Sequence, residues 1–300
     1  MGLNKKAMFF TILSILLLSL FLLSYTSYSL IQNQRESINK RVTTINNFVF
    51  SLEKDLPRQL YISGYRAMFL FEKTIAETGV YISNINSSFN EIFFNGTLSS
   101  VEQSLMQGAT YPDMVDLLNQ RANKINVNVS FSSPQIFITQ DSPWEIKVTL
   151  ISNIFITDLG NLASWNKTQT SVSYIPIQSF DDPIYTINTN SKVINKINKT
   201  PYTSFNIANL TSHLENSYYI ASPLAPSLLD KLEGKTSANE NGIESLVYLP
   251  KLSAQGITIQ DKSAVDYIYF SSNNPSASQV TGMPSWFKLD SPHLSVYGVS

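Results

Sequence analysis

Hydrophobic positions along this chain follow three rhythms. Over residues 7–23 they are almost continuous (AMFFTILSILLLSLFLL), and no charge stands between Lys6 and Arg35. A run of that length crosses a bilayer as one helix, because within hydrocarbon a helix bonds all of its own backbone amides. Tyr25 and Tyr28 follow at the level where interfacial aromatics sit. From residue 38 the spacing opens to steps of four and three. Ile38, Val42, Ile45, Val49, Leu52 and Leu56 then form one narrow helical stripe, which packs on a second copy or on the protein's own sheet. Pro57 lacks an amide proton and crowds the preceding turn, so a kink or restart is predicted there. Leu60, Tyr65, Met68, Phe69 and Ile75 resume the helical spacing as a second helical stretch, which Phe89, Ile92 and Phe93 close before the Asn95-Gly96 turn.

A further helix is predicted over 99–124, with Pro112 in a first turn. The period then changes to two: Val127, Val129 and Phe131 alternate with Asn128 and Ser130, as do Trp144, Ile146, Val148 and Leu150 with their polar neighbours. Asp158-Leu159-Gly160-Asn161 is a turn leading into an extended run over 163–177, so a long antiparallel hairpin is expected. Beyond Asp181-Asp182-Pro183, which reads as a turn, short extended pieces are predicted over 184–189, 217–221 and 246–249. Residues 263–270 mix helix and strand signals, and Ser291-Pro292 reads as an N-cap with Pro at the first position of a last short helix. The fold class is α+β: an N-terminal transmembrane helix continuing into a long, kinked helix, then an antiparallel β-rich domain. The expected divisions are a membrane anchor over 1–34, helical stalk or packing helices over 35–96, and an α+β ectodomain over 97–300.

Retention of the apolar segment as an anchor is favoured over a cleaved secretory signal ending near Ser27-Tyr28-Ser29, since the helical pattern continues past that point. A third reading comes from Lys5-Lys6-Ala7 followed by Met8-Phe9-Phe10, which resembles an archaeal prepilin-type signal. That resemblance implies cleavage between Ala7 and Met8, with the apolar helix kept and available for packing with other copies. Many mature pilins carry a Glu near the helix start, whereas Ile12 stands there in this chain and the first carboxylate is Glu36. Lys5 and Lys6 against Arg35, Lys40 and Arg41 slightly oppose an outside C-terminus. Six sequons downstream of the anchor, at Asn86, Asn95, Asn128, Asn166, Asn198 and Asn209, point the other way and are the glycosylation candidates.

Composition narrows the function classes. A 43% hydrophobic content supports a packed body, while a net charge of −1 lacks the basic footprint that nucleic-acid binding requires. The chain has no cysteine, which excludes disulfides, thiolate metal sites and a Cys nucleophile. His213 and His293 lack sequence neighbours that mark a site and read as surface or capping residues. No Gly-x-Ser-x-Gly elbow or phosphate-binding glycine loop occurs. Asp181-Asp182 and the more distant Asp141, Asp261, Asp266 and Asp290 could meet as carboxylate pairs only through folding. No catalytic, cofactor or metal residues are therefore assigned. Trp165, Tyr174, Tyr202, Tyr218, Tyr219, Tyr267, Tyr269, Trp286 and Phe287 are core residues for the most part, and any exposed ones are candidates for sugar or protein contacts.

Almost the whole chain resembles uncharacterised, single-anchor surface proteins of small-genome archaea. The likeness is carried by residues 4–11, 60–67, 182–186, 217–221 and 284–290. It implies an exported protein with a pilin-like layout, a C-terminal domain outside the cell, and the lipid bilayer as first partner. The expected function is a membrane-anchored structural or interaction protein of the cell surface, without catalysis. Self-association through the N-terminal helix and contact with a surface protein or glycan follow as expected partners. The alternatives are an extracellular binding module and an anchored hydrolase.

Overall fold

The structure, a computed structural model, describes residues 5–300, with side chains from Met8 onward. Residues 1–4 of the prepilin-like signal lie outside the described residues, and of Ala7 only the helical backbone is described. In chain order the elements are α1 (Lys5–Thr78), α2 (Ile85–Asn95), β1 (Thr97–Leu98), β2 (Val101–Glu102), a 3-10 turn (Ser104–Met106), α3 (Tyr111–Asn123), β3 (Val127–Ser142), β4 (Glu145–Asp158) and β5 (Ser164–Pro176). They continue with α4 (Pro183–Asn188), α5 (Ile207–Glu215), β6 (Tyr219–Ala221), α6 (Leu228–Leu232), β7 (Ile243–Ser245), α7 (Leu249–Ala254), α8 (Asp266–Tyr269), β8 (Ala277–Gln279), β9 (Lys288–Asp290) and α9 (Ser291–Val296). The class is α+β: one long helix, apolar at its start, followed by small antiparallel sheets.

α1 is a single helix of 74 residues that passes through Pro57 without a restart. The hydrogen bond lost at Pro57 is offset by packing, since Leu56 and Leu60 beside it are both buried. Gly79, in the left-handed region at φ +66°, ends the helix by donating its N–H to Ile75 O. The predicted stripe divides along its length: Ile38 and Val42 are exposed, while Ile45, Leu52 and Leu56 are buried.

The chain folds as two compact units. The first comprises the described part of Met1–Glu53 with Leu118–Ser130 and Ile154–Lys167. Here the Arg41 guanidinium donates to Asp158 Oδ1 (2.8 Å) and to Asn126 O (2.8 Å), and Lys167 pairs with Glu53 at 2.6 Å. Hydrogen bonding to Arg41 holds the Asp158 carboxyl below its usual range. Asp158 also shapes the β4–β5 turn, in which its N–H bonds Ala163 O and its Oδ2 accepts from Leu162 N.

The second unit comprises Lys54–Leu117, Phe131–Asn153 and Thr168–Ser300. Leu60, Ala67, Met68, Phe71 and Ile75 form the buried face of α1 in this unit, at the three-and-four spacing of a helix stripe. Gly64 on the same face lets the helix backbone approach Val148 of β4 and Ile175 of β5. The sheet order is β3-β4-β5, and the two-residue link at 143–144 permits only antiparallel pairing of β3 with β4. β3 changes phase midway. Val127 and Val129 are buried before Ser133 (φ +51°), whereas Ile136 and Ile138 are buried after it, the mark of a bulge. After Pro176, short helices and the β6-β7 and β8-β9 ladders enclose a core that includes Ile184, Leu210, Leu246, Val265, Phe287 and Leu289.

Several local expectations are corrected. The helix predicted over 99–124 is instead the β1-β2 hairpin, the 3-10 turn and α3. The Glu91 carboxylate accepts from Ser99 N, Ser100 N and Thr97 Oγ1 and so holds the hairpin turn, and a reciprocal Thr110–Asp113 cap starts α3 only at Tyr111. Residues 184–189, expected to be extended, are helical in α4, because Asp182 caps the Ile184 N–H and Pro183 occupies the first turn. Over 246–249 the backbone stays extended at Tyr248, and Leu249 opens α7. The mixed segment 263–270 holds a β-bridge at Val265 followed by α8 over Asp266–Tyr269. The last helix has Asp290 rather than Ser291 at its N-cap position, one residue earlier than expected, without a side-chain capping bond.

Candidate functional site

The densest chemistry among the described residues is a buried ionic cluster built on three short helices. Asp182 caps α4: its Oδ1 accepts the Ile184 N–H at 2.9 Å, which turns Oδ2 inward. α6 starts with a reciprocal cap between Ser227 and Asp230, so Lys231 falls between Leu228 and Leu232 on the buried face. Asp266 opens α8. Lys231 Nζ lies 2.6 Å from Asp182 Oδ2 and 2.7 Å from Asp266 Oδ2, and none of the three side chains is exposed.

A second layer holds these groups. The Tyr219 ring lies 5.3 Å beneath Lys231 Nζ, and its hydroxyl donates to Asp182 Oδ2 (3.0 Å) while accepting from Asn195 Nδ2 (2.9 Å). Ser245 gives both its N–H (3.1 Å) and its hydroxyl (3.0 Å) to Asp266 Oδ2, and Tyr185 bonds the same hydroxyl at 3.0 Å. Two carboxylates face one ammonium in a dry interior, an arrangement that carries an uncompensated charge unless one carboxyl keeps its proton. Burial accordingly pushes Asp266 up to about 6 against the opposing pull of Lys231. Burial alone would lower Lys231, but Asp182 and Asp266 hold its ammonium above the usual value.

His293 on α9 forms a second cluster. Its Nδ1 is 2.7 Å from Asp290 Oδ2, and its Nε2 is 3.1 Å from the Tyr267 hydroxyl and 3.3 Å from Glu244 Oε2. Ser263 donates its hydroxyl to Asp290 Oδ1 at 2.6 Å. Burial opposes charge on the imidazole, yet the bonds to Asp290 and Glu244 win and raise it to about 9. An imidazolium therefore sits between two carboxylates at neutral pH. Serine, aspartate and histidine meet here, but the serine bonds the aspartate and not the imidazole, so no nucleophile is activated. Both clusters are sealed, with every charged member at most 4% exposed.

The remaining sequence candidates lie elsewhere. His213, expected at the surface, is buried among Phe205, Tyr218 and Tyr297 and touches Thr200 Oγ1 at 3.2 Å. Burial lowers its imidazole to about 4, so it is neutral. Asp141 and Asp261 make exposed pairs with Lys147 and Lys288. Among the sequons Asn86 and Asn95 on α2, Asn128 on β3, Asn166 on β5 and Asn198 are exposed, whereas Asn209 on α5 is half-buried and donates to Ser204 O. Of the candidate aromatics Tyr174 is exposed, while Tyr219, Tyr267, Tyr269 and Phe287 are buried. Open clefts of about 450 and 540 Å³ occur at Asn95–Asp113 and beside Asn86, Asn90 and 134–139. No group of three His, Cys, Asp or Glu side chains suited to a metal ion occurs among the described residues.

Sequence reasoning passed over Lys231, Glu244, Ser263, Ser245 and Asn195. One signal was present: Ser227-x-x-Asp230 is a helix-start motif that puts Lys231 on an apolar face. No protein-family model, curated protein or solved structure matches this chain. The fold and its clusters define an α+β protein with, among the described residues, one candidate membrane span near the N-terminus.

Proposed function

We propose that this is a membrane-anchored structural or interaction protein of the cell surface, pilin-like in layout. The observation that carries the reading is the uncovered start of α1. Its most apolar stretch has a mean hydropathy of 2.3 and is not buried at all by the rest of the chain. Met8, Phe9, Phe10, Leu16, Leu18, Phe21 and Leu23 are each more than half exposed. Water does not tolerate an apolar surface of that extent, and a bilayer does. The exposed Ile38 and Val42 further along α1 support contact with a second copy at that level. The exposed sequon asparagines support a C-terminal domain outside the cell.

Fractionation of native membranes tests the anchor. The protein is expected to stay in the pellet through carbonate and urea washes, to leave it in detergent, and to lose its C-terminal domain when intact cells meet protease. Recovery from a detergent-free supernatant would refute it. N-terminal sequencing distinguishes cleavage between Ala7 and Met8 from retention. A second reading, an extracellular binding module, rests on Tyr174 and Phe137, whose side chains stand exposed on the sheet. A glycan array with the detergent-solubilised protein separates the two, because a purely structural subunit gives no selective signal.

A further inference from the structure

We propose that the buried cluster is a self-modification site, at which Lys231 Nζ and Asp182 Cγ condense to an intramolecular amide with Asp266 as the proton carrier. The geometry meets the three needs of that reaction. The amine and the acceptor carboxyl are in direct contact at 2.6 Å. A second carboxyl stands 2.7 Å from the same nitrogen and is free of any bond to the acceptor. The acceptor is polarised by two donors, the Ile184 N–H on Oδ1 and the Tyr219 hydroxyl on Oδ2.

The atoms balance without any co-reactant. Asp266 relays a proton away from Nζ, and the freed lone pair forms the bond to Cγ. The carbonyl electron pair moves onto Oδ1, where the Ile184 N–H faces it. Asp266 then relays a second proton from the nitrogen, and as the intermediate collapses the Cγ–Oδ2 bond breaks and Oδ2 leaves as water carrying both relayed protons. An ammonium and a carboxylate thus become an amide and one water, and Asp266 ends as it began. Burial favours the product twice. It removes two charges from a medium that solvates them poorly, and it denies water to the reverse reaction.

The bond would join residues 49 positions apart and tie α4 to α6 in a chain with no cysteine. Other buried pairs lack this combination. His293 offers no amine, and Lys147, Lys167, Lys196 and Lys288 pair with acids at partly or fully exposed sites.

Peptide mass spectrometry of the full chain, extracted in detergent and digested after denaturation, tests the proposal. The expected result is a branched peptide containing Lys231 and Asp182, lighter than the sum of its parts by one water, with the Lys231 amine resistant to reductive methylation in denaturant. Separate peptides with a methylated Lys231 would overturn it, and so would a link from Lys231 to Asp266. Asp266→Asn should slow bond formation by about 100-fold or more, the usual contribution of a positioned acid–base group. Linkage at the unchanged rate in that variant would remove Asp266 from the role. The wild-type peptide map decides the central claim even if the variant fails to fold.

Discussion

Gly64 offers the sharpest test of how α1 meets the sheet. A Cβ built at this position overlaps Ile175 Cδ1 and comes within 3.0 Å of Val148 Cγ2, both on side chains with no exposure. Two opposing effects act on Gly64→Ala. The helix gains about 1 kcal/mol from losing an interior glycine. Overpacking a tight core costs about 1–3 kcal/mol. The net expectation is a loss of about 1 kcal/mol, or about 2–4 °C in thermal midpoint for a body of this size. Ile175→Val deletes the overlapped methyl and alone costs about 0.5–1.5 kcal/mol. The informative chain is Gly64→Ala/Ile175→Val, where the new methyl enters the space just vacated and the helix gain is recovered. Its stability should exceed the sum of the single changes by about 1–2 kcal/mol. Urea titration of the full chain in detergent, followed by tryptophan fluorescence, measures all four corners of the cycle. Additivity within about 0.5 kcal/mol would show that helix and sheet do not touch at this point.

His293 and Glu72, both raised, titrate with the same sign but for different reasons. His293 is lifted from 6.5 to about 9, so its stabilising charge is fully present below pH 6.5 and is lost as pH rises through 9; His293→Gln should flatten that limb of a thermal-midpoint profile, and an unchanged limb would refute the assignment. Glu72 is lifted from 4.5 to about 9, first by burial and then by Asp181, so the folded protein keeps a proton that the unfolded chain releases above pH 4.5. Stability therefore declines from pH 4.5 towards 9, and Glu72→Gln, which can still accept the Asp181 N–H, should raise the midpoint at pH 8 and leave it nearly unchanged at pH 4. Glycopeptide analysis of native material should find sugar on some of the exposed sequons and none on Asn209, whose amide nitrogen is engaged by Ser204 O; a fully occupied Asn209 would show that α5 is not formed when the sugar is added.

What was legible in the sequence is what local pattern encodes. The apolar run at the start of α1 is a property of consecutive residues, and the alternation over β3 and β4 survives because each strand has one buried face. The stripe through Ile45, Leu52 and Leu56 was legible as a helix face, but its choice of partner was not. At Pro57 the helix does not restart, because one missing hydrogen bond is small beside the burial on either side of it. Beyond residue 176 the elements are three to nine residues long, too short for a period to stand out. There the caps were the readable signs, and Asp182-Pro183 was passed over because the run after it is as apolar as a strand. The ionic clusters were illegible for another reason: Lys231 meets Asp266 35 residues ahead and Asp182 49 residues behind, a proximity that exists only once the short helices have packed.

The placement of the two clusters explains how so short a strand as β7 keeps its register. Neighbouring residues of a strand face opposite ways, so Glu244 points towards His293 while Ser245 points towards Asp266. Across the ladder Tyr219 is paired with Ser245, and both side chains reach the Lys231 cluster from the same face. A slip by one residue would carry Glu244 to the side already occupied by Asp182 and Asp266, setting three carboxylates against one lysine, and would strip His293 of one of its two acids. Three residues of apolar strand would tolerate that slip. A strand with a carboxylate and a hydroxyl buried on opposite faces does not, and the buried charges, whatever their net effect on stability, thereby hold β6 and β7 in a single alignment.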